Sequence, residues 1–275
     1  MKPLSGVLAE LVKGSQARVQ AALPYHEKLE EIALSRPPAP DFAAALKSAV
    51  GLRLICEVKR ASPSQGDIRP EADPVQVAQC YAQAGAAALS ILTEPSRFGG
   101  GMDDLILVRR ALPGLPVLRK DFIVHEVQLA QAVSAQAASA LLMASVLEQD
   151  ELGRLLAYAC RLGLEPLVEV RGRQELAEAL AVGARVIGVN NRNLTTLEVD
   201  LAATFELAGE VPEEAVLVSE SGIQEPEQAK ELRAAGVDAV LVGTSLMKAD
   251  EPARLVRQLT EAGAGPRPER ARGRC

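Results

Sequence analysis

The stretch "PVLRKDFIVHEVQLAQAVSAQA" (116–137) contains the unit from which the fold can be predicted. Its first seven residues read as a buried strand, and the residues from Glu126 onward have the apolar spacing of an amphipathic helix. Lys120 and Asp121 place two charges inside the otherwise apolar run. The lysine is therefore either an incidental residue of a strand end or a catalytic group, and the rest of the chain has to decide.

Strand-like runs of this kind recur along the chain, and a helical segment follows each of them. We count eight: 52–59, 87–93, 116–122, 139–145, 166–170, 186–192, 215–221 and 238–244. Near-continuous apolar strands that alternate with helices predict a parallel sheet covered on both faces. Eight units within residues 51–262 favour an α/β fold of the closed (β/α)₈ barrel type, a TIM barrel, over an open doubly wound sheet.

The segments outside the repeats differ from them in composition. Residues 1–50 contain helical segments around a Pro-rich break, and we expect a helical extension that packs on the barrel or closes one of its mouths. Residues 51–262 form the predicted barrel. The tail 263–275 is rich in Gly, Pro and Arg without apolar periodicity, and we expect it to be disordered.

Charge and cysteine content limit the classes of partner. The net charge of −6 argues against nucleic acid, which requires a basic surface, but it permits a small anionic substrate bound in one local pocket. No signal peptide or membrane-length apolar run is present in the sequence, so we predict no membrane association and a cytoplasmic location. The four cysteines lack metal-ligand spacing and are expected to be reduced: Cys56, Cys80, Cys160 and Cys275.

Polar side chains lie near the carboxyl ends of the predicted strands, where TIM barrels carry their active sites. They are Glu57, Lys59, Glu94, Lys120, Glu169, Asn190, Arg192, Glu220 and Ser221. Alternation along a strand puts Glu57 and Lys59 on one face, and puts Lys120 on the face of Leu118. Charges gathered at one mouth are costly unless they pair or bind a charged molecule, so we predict a functional site there.

Glycine and hydroxyl residues follow the last two strands, in "SESGI" (219–223) and "VGTSLM" (242–247). The loops after strands seven and eight are the usual phosphate site of this fold, and Gly222, Gly243 and Thr244 fit that role. His26 and His125 lie away from the predicted strand ends and are poor catalytic candidates.

The motifs together resemble those of the indole-3-glycerol phosphate synthases of tryptophan biosynthesis. The resemblance is carried by "EVKRASPSQG" (57–66), "LRKDF" (118–122), "LVEV" (167–170), "GVNNRNL" (188–194), "SESGI" and "VGTSLM", in the order found in that family. It extends from the N-terminal helices to about residue 262. Departures are mild: Gln65 stands where Lys is usual, Arg171 stands where His is common, and "FIVHEVQ" lacks the usual Asp and Tyr.

The resemblance implies the same barrel with an N-terminal helical segment, and a carboxy-lyase activity. The substrate would be 1-(2-carboxyphenylamino)-1-deoxyribulose 5-phosphate, which is closed to indole-3-glycerol phosphate with loss of carbon dioxide and water. Lys120 would be the general acid of ring closure. Lys59 and Glu169 would serve as the acid and base of dehydration, in either order, with Glu57 and Asn190 orienting them.

The resemblance also implies a substrate pocket without metal or organic cofactor, and it permits contact with other enzymes of the tryptophan pathway. Phosphate would be held by Ser62, Gly222, Gly243 and Thr244, the ring by Phe98, Phe122 and Leu241, and the rest of the substrate by Arg192, Glu220 and Ser221. Two alternatives stay open at this point: a Schiff-base aldolase that uses a lysine at a strand end, and a phosphosugar-binding barrel without activity.

Overall fold

The computed structural model describes residues 1–48, 50–193 and 198–270, and its centre is a closed barrel of eight parallel strands. The strands follow one another around the barrel in chain order, and the last pairs with the first. They are β1 (Arg53–Val58), β2 (Ala88–Leu92), β3 (Val117–Lys120), β4 (Ser139–Met143), β5 (Leu167–Val170), β6 (Val186–Asn190), β7 (Val216–Glu220) and β8 (Ala239–Val242). Each lies within a predicted run, and the predicted TIM barrel is confirmed.

Helices surround the barrel and precede it. They are α1 (Gly6–Ala22), α2 (His26–Ser35), α3 (Phe42–Leu46), α4 (Pro74–Gln83), α5 (Pro95–Phe98), α6 (Met102–Ala111), α7 (Glu126–Ser134), α8 (Gln149–Arg161), α9 (Arg173–Ala181), α10 (Ala202–Ala208), α11 (Pro226–Ala234), α12 (Thr244–Lys248) and α13 (Pro252–Ala262). The sequence did not predict α5, α12 or a small hairpin that pairs residues 61–62 with 66–67. All three follow the carboxyl end of a strand, so the unpredicted structure is concentrated at the barrel mouth.

The stagger between strands decides which side chains meet inside the barrel. Glu57 on β1 pairs with Ser90 on β2, and Ser90 pairs with Leu118 on β3. The residue at the level of Glu57 on β3 is therefore Lys120, two positions beyond Leu118, because the strands are tilted. A step of two residues for every two strands gives a shear of about eight around the barrel, as in other TIM barrels.

The N-terminal helices pack against the barrel on the side of β3 and β4. Helix α2 contacts α7 and α8: Ser134 donates a hydrogen bond to the Leu29 carbonyl at 2.8 Å, and His26 Nε2 lies 3.0 Å from the Tyr158 hydroxyl. Helix α1 reaches the mouth, where Leu11 lines the central cavity. The extension therefore contributes to the cavity wall as well as to the packing of the outer helices.

The C-terminal segment differs from expectation. Residues 263–270 pack against the amino-terminal face of the barrel, where the sequence analysis expected disorder, and residues 271–275 lie outside the described residues. Arg270 is 5% exposed. Its guanidinium contacts the Asp238 carboxylate and donates to the carbonyls of Pro212 at 2.8 Å and Gly236 at 3.0 Å. Composition misled because one buried arginine with several acceptors can order a short polar segment.

This docking predicts a loss of stability in the variant Arg270→Ala. The substitution leaves Asp238 buried with Arg267 Nε at 3.5 Å and the Leu217 backbone N–H at 2.9 Å, and we expect the free energy of unfolding to fall by about 2–4 kcal/mol. Denaturant unfolding followed by circular dichroism would measure it. Arg257→Ala on the exposed face of α13 is the control and should change stability by less than about 0.5 kcal/mol. Equal midpoints for the two variants would contradict the docking.

Candidate active site

A cavity of about 720 Å³ opens at the carboxyl ends of the strands. Its lining lacks Glu94 but includes every residue to which the sequence analysis gave a catalytic or substrate-binding role: Glu57, Lys59, Ser62, Phe98, Lys120, Phe122, Glu169, Asn190, Arg192, Glu220, Ser221, Gly222, Leu241, Gly243 and Thr244. The strand ends thus bring together side chains that are as much as 187 positions apart in the chain, from Glu57 to Thr244. A residue must line the cavity to have one of the roles predicted above, and all of these residues do.

The floor of the cavity is one layer of barrel side chains. Glu169 on β5 pairs with Gly188 on β6, and Gly188 pairs with Val218 on β7, two residues before Glu220. By the stagger described above, Glu220 stands at the level of Glu169. Glu57, Lys120, Glu169 and Glu220 therefore form a single layer from the four odd-numbered strands, the arrangement that TIM barrels use for their interior layers. We call these four residues the charged layer.

Lys120 lies between two carboxylates of the charged layer. Its Nζ is 2.5 Å from Glu220 Oε2 and 3.3 Å from Glu169 Oε2. Burial by itself would lower the pKa of Lys120, but the carboxylates of Glu220, Glu169 and Glu57 outweigh that effect and raise the pKa well above its ordinary value. The lysine is thus held in the charged form, with protons that it can donate into the cavity.

A second ion pair lies beside the first. Lys59 Nζ is 2.8 Å from Glu57 Oε1, and Ser90 donates to Glu57 Oε2 at 3.1 Å. Burial would raise the pKa of Glu57, but Lys59, Lys120 and the hydrogen bonds overcome it, and the pKa lies below its usual value. Gly243 makes room for this pair, since a Cβ there would lie 2.4 Å from Glu57 Oε1. Glu57 is therefore a fixed anion that holds Lys59 at the cavity wall.

Glu220 contacts Lys120 directly, a closer involvement than the sequence analysis gave it. Burial raises the pKa of Glu220 to about 7, helped by the nearby Glu169 carboxylate and opposed by Lys120. Glu169 Oε1 and Glu220 Oε1 are buried and find no hydrogen-bond partner among the described residues. Glu169 and Glu220 thus share Lys120, and one oxygen of each remains able to accept a proton or a hydrogen bond from a bound molecule.

The outer part of the cavity has an apolar wall. The rings of Phe98 and Phe122 lie 6.2 Å apart at an interplanar angle of 43°. Leu241 on β8 and Leu11 on α1 also line the cavity, together with Val7 and Leu8 of α1. The sequence analysis left open that the N-terminal extension closes a mouth of the barrel, but it assigned no residue of α1 to the cavity. Only the apolar face of "VLAEL" (7–11) could have suggested it, and such a face usually packs on a core.

The opposite side of the mouth is formed by the loops after β1, β7 and β8. Ser221 and Gly222 both have left-handed backbone angles, with φ of 68° and 87°. Gly222 is required there, because a Cβ would also lie 2.5 Å from Val199 Cγ1. Thr244 begins α12 beside these residues, and Lys248 at the end of α12 donates to the Gln65 side chain of the β1 loop. Hydroxyls, backbone amides and a lysine thus line this side.

Asn190 and Arg192 extend from the end of β6 into the same cavity. The Asn190 side-chain oxygen accepts a hydrogen bond from the Arg192 backbone N–H at 3.0 Å, which orients the Asn190 amide. Burial lowers the pKa of Arg192 from its ordinary value. Leu194, the last residue of the motif "GVNNRNL", lies outside the described residues.

The remaining titratable candidates lie elsewhere. His125 caps α7, its Nδ1 accepting from the Val127 N–H at 3.1 Å, and His26 contacts Tyr158. Cys56, Cys80 and Cys160 are free thiols. In the ranges 1–48, 50–193 and 198–270, no three His, Cys, Asp or Glu side chains are grouped to hold a metal ion, and no helix is long and apolar enough to span a membrane.

The barrel and its charged mouth define the class of protein as a TIM-barrel enzyme. Among solved structures, the fold resembles that of 3-hexulose-6-phosphate synthase from Salmonella typhimurium, with a TM-score of 0.63 over 77% of this chain and 98% of that chain. The two sequences are 14% identical, so this likeness shows the fold alone.

Comparison of sequences gives the family. Residues 8–259 match the family model described as indole-3-glycerol phosphate synthase. The chain belongs to this family, whose members are carboxy-lyases, as its motifs predicted. It is 43% identical over 270 residues to an indole-3-glycerol phosphate synthase of Kineococcus radiotolerans, covering 97% of each chain. It is also 44% identical over 227 residues to a multifunctional tryptophan biosynthesis protein of Schizosaccharomyces pombe, covering 81% of this chain and 30% of that protein.

The position of Gly188 allows a test of the charged layer. A Cβ at this residue would lie 2.1 Å from Glu220 Oε1 and 3.1 Å from Leu167 Cδ1, so Gly188→Ala must displace the Glu220 carboxylate. We expect kcat for the synthase reaction to fall about tenfold or more, since displacements near 1 Å have such effects. Gly114→Ala, where a Cβ meets nothing within 4 Å, is the control. Unchanged turnover in both variants would show that Glu220 need not keep its place.

Proposed function

We propose that this chain converts 1-(2-carboxyphenylamino)-1-deoxyribulose 5-phosphate to indole-3-glycerol phosphate, and that the charged layer carries out the proton transfers. The observation that carries the proposal is Lys120, a half-buried lysine held between Glu169 and Glu220 at the cavity floor. Membership of the synthase family supports the reaction. The geometry supports the roles of the residues.

Lys120 acts in ring closure. The aromatic carbon that bears the carboxylate attacks the ribulose carbonyl carbon, and the electrons of the carbonyl bond move to its oxygen. Lys120 Nζ donates a proton to that oxygen, which becomes a hydroxyl. The carboxylate then leaves as carbon dioxide, and the electron pair of the broken bond restores the aromatic ring. The high pKa of Lys120 favours the protonated form that this step requires.

Lys59 and Glu169 act in dehydration. The new hydroxyl must leave as water while the neighbouring carbon loses a proton, which creates the double bond of indole, so one group gives a proton and another removes one. Lys59 is the acid in this proposal, because Glu57 holds it charged at 2.8 Å. Glu169 is the base, because its Oε1 has no partner within the described part of the chain. Asn190 orients the substrate between them.

The cavity accommodates a substrate with one anionic end and one aromatic end. Ser62, Gly222, Gly243 and Thr244 hold the phosphate with hydroxyl and backbone N–H groups, at the loops where this fold usually binds it. Phe98, Phe122 and Leu241 enclose the carboxyphenyl ring. Arg192 and Ser221 contact the ribulose chain between the two ends. The ion pairs lie below this chain, where the bonds change.

We also propose a cytoplasmic location, and contact with other enzymes of tryptophan biosynthesis. The contact is suggested by the Schizosaccharomyces pombe relative, in which a region similar to this chain is 30% of a multifunctional tryptophan biosynthesis protein. Co-purification of a tagged form of this chain with the preceding or following pathway enzymes would test the contact.

Removal of Lys120 tests the reaction and the main assignment together. Wild-type protein should convert the substrate to a product with indole fluorescence when a metal chelator is present. The protein has no Trp, so its own fluorescence background is low. In Lys120→Met we expect kcat to fall about 10²–10⁴-fold, because the acid of ring closure is lost. Lys230→Met on the exposed face of α11 is the matched control.

The outcomes separate the candidate functions. A folded Lys120→Met variant with near-normal kcat would exclude Lys120 as the acid. A folded wild type that binds inorganic phosphate but forms no product would instead support a binding barrel without activity.

Glu220 gives a prediction for the pH dependence. Its pKa is raised to about 7, so lowering the pH through that value protonates the carboxylate and weakens its hold on Lys120. We expect kcat/KM to fall on the acid side with an apparent pKa of about 7, a limb that Glu220→Gln should shift or abolish. Exposed Glu227→Gln on α11 should keep the wild-type profile. A flat wild-type profile between about pH 5.5 and 8.5 would contradict the assignment.

A further inference from the structure

Arg18 on α1 joins two strand ends that carry the walls of the cavity. Its Nη2 is 2.7 Å from Asp121 Oδ1, and its Nη1 is 3.7 Å from Glu94 Oε1. Asp121 follows β3, and Glu94 follows β2. Both carboxylates are almost fully buried, with side chains 0% and 1% exposed. A single guanidinium from outside the barrel thus contacts two buried anions, one on each strand.

Asp121 determines where the residues after Lys120 lie. Its Oδ1 accepts from the Phe122 backbone N–H at 2.8 Å, in addition to Arg18. Its Oδ2 accepts from Thr93 Oγ1 at 2.8 Å and from Arg119 Nη2 at 3.0 Å. Burial would raise the pKa of Asp121, but Arg119 and Arg18 overcome this and lower it, so the carboxylate stays charged.

Glu94 determines where Phe98 lies. As the N-terminal cap of α5, its carboxylate accepts from the backbone N–H groups of Ser96, Arg97 and Phe98 at 2.9, 2.8 and 3.3 Å. The sequence analysis noted Glu94 as a charged strand end, and the proposed reaction gives it no proton to transfer. Its contacts indicate a structural role, because they orient the short helix that carries one of the two cavity rings.

Helix α1 contacts the same region at a second point. Ser15 is fully buried and donates to the Phe122 carbonyl, while Gln128 Nε2 donates to Ser15 Oγ at 2.9 Å. Leu11, Ser15 and Arg18 follow one another at spacings of four and three residues, so they lie on one face of the helix. Leu11 on this face lines the cavity. Ser15 and Arg18 on the same face hold the segment that carries the Phe122 ring.

We propose that Arg18 is a positioning residue for the aromatic end of the substrate pocket, acting through Asp121 on Phe122 and Lys120 and through Glu94 on Phe98. This inference rests on the proposed function, because it assigns the carboxyphenyl ring to the Phe98–Phe122 wall. It makes α1 part of the active site although the charged layer belongs entirely to the barrel.

The test compares Arg18→Met, which keeps an apolar stem of similar length, with Arg97→Ala. Arg97 pairs with Glu10 at 2.9 Å, an exposed contact between the same two helices, α1 and α5, which makes it a matched control. In Arg18→Met we expect kcat/KM to fall about 10–100-fold. Arg18→Lys should restore only part of the loss, since one ammonium cannot span two carboxylates as a guanidinium does.

Binding measurements separate positioning from general damage. The probes are the reduced substrate analogue 1-(2-carboxyphenylamino)-1-deoxyribitol 5-phosphate and inorganic phosphate. Arg18→Met should weaken binding of the analogue about tenfold or more and change the dissociation constant of inorganic phosphate less than about twofold. Equal losses for both probes would mean a merely structural role, and no loss for either would also overturn the proposal.

Hydrogen exchange tests whether Arg18 holds the segments that carry Phe98 and Phe122, and it requires no enzymatic activity. Amides in residues 96–99 and 119–125 should exchange several-fold faster in Arg18→Met than in Arg97→Ala, with other barrel strands unchanged. Equal exchange in the two variants would overturn the proposal. Failure of the wild type to turn over substrate would count against the proposed reaction alone, because the exchange result would still decide what Arg18 holds.

Discussion

The charged layer is the constraint on which the rest of the site depends. Four odd-numbered strands place Glu57, Lys120, Glu169 and Glu220 at one level of the barrel. Burying charges costs several kcal/mol for each ion unless close partners compensate. One lysine cannot compensate three carboxylates, and Lys59 supplies a second cation at Glu57. Burial, helped by the neighbouring Glu169 carboxylate, raises the pKa of Glu220. One oxygen each of Glu169 and Glu220 remains able to accept a hydrogen bond from a substrate.

The two faces of the barrel use buried ion pairs differently. At the amino-terminal face, Arg270 and Asp238 are surrounded by carbonyl groups and hydrogen bonds that match the guanidinium. At the carboxyl-terminal face, Glu169 Oε1 and Glu220 Oε1 are buried without a partner in the part of the chain that the structure describes. A satisfied pair stabilises a fold, whereas an unsatisfied one lowers stability and is kept where chemistry requires it. This contrast supports the proposal that the chemistry takes place at the carboxyl-terminal face.

Much of this could be predicted from the sequence, and the failures have physical causes. Strands and helices followed from local periodicity, and the parity of Lys120 with Leu118 predicted that its side chain points into the barrel. The contact between Lys120 and Glu220 could not be predicted, because it depends on the stagger of strands 100 residues apart in the chain. The docking of the C-terminal segment and the residues by which α1 reaches the mouth were not predicted for a related reason: each depends on long-range contacts, Arg270 with Asp238 and Arg18 with Asp121.

The extension before the barrel also has a physical explanation. A barrel mouth that carries many charged side chains is open to water, and water weakens each ion pair by raising the local dielectric constant. The proposed carboxyphenyl ring needs an apolar wall beside those charges, and the barrel provides part of it with Phe122 and Leu241. Leu11 adds to that wall from α1, and Phe98 adds to it from α5, whose orientation depends on Glu94. The same helix that completes the apolar wall thus carries, at Arg18, the cation that neutralises the anions holding the wall in place.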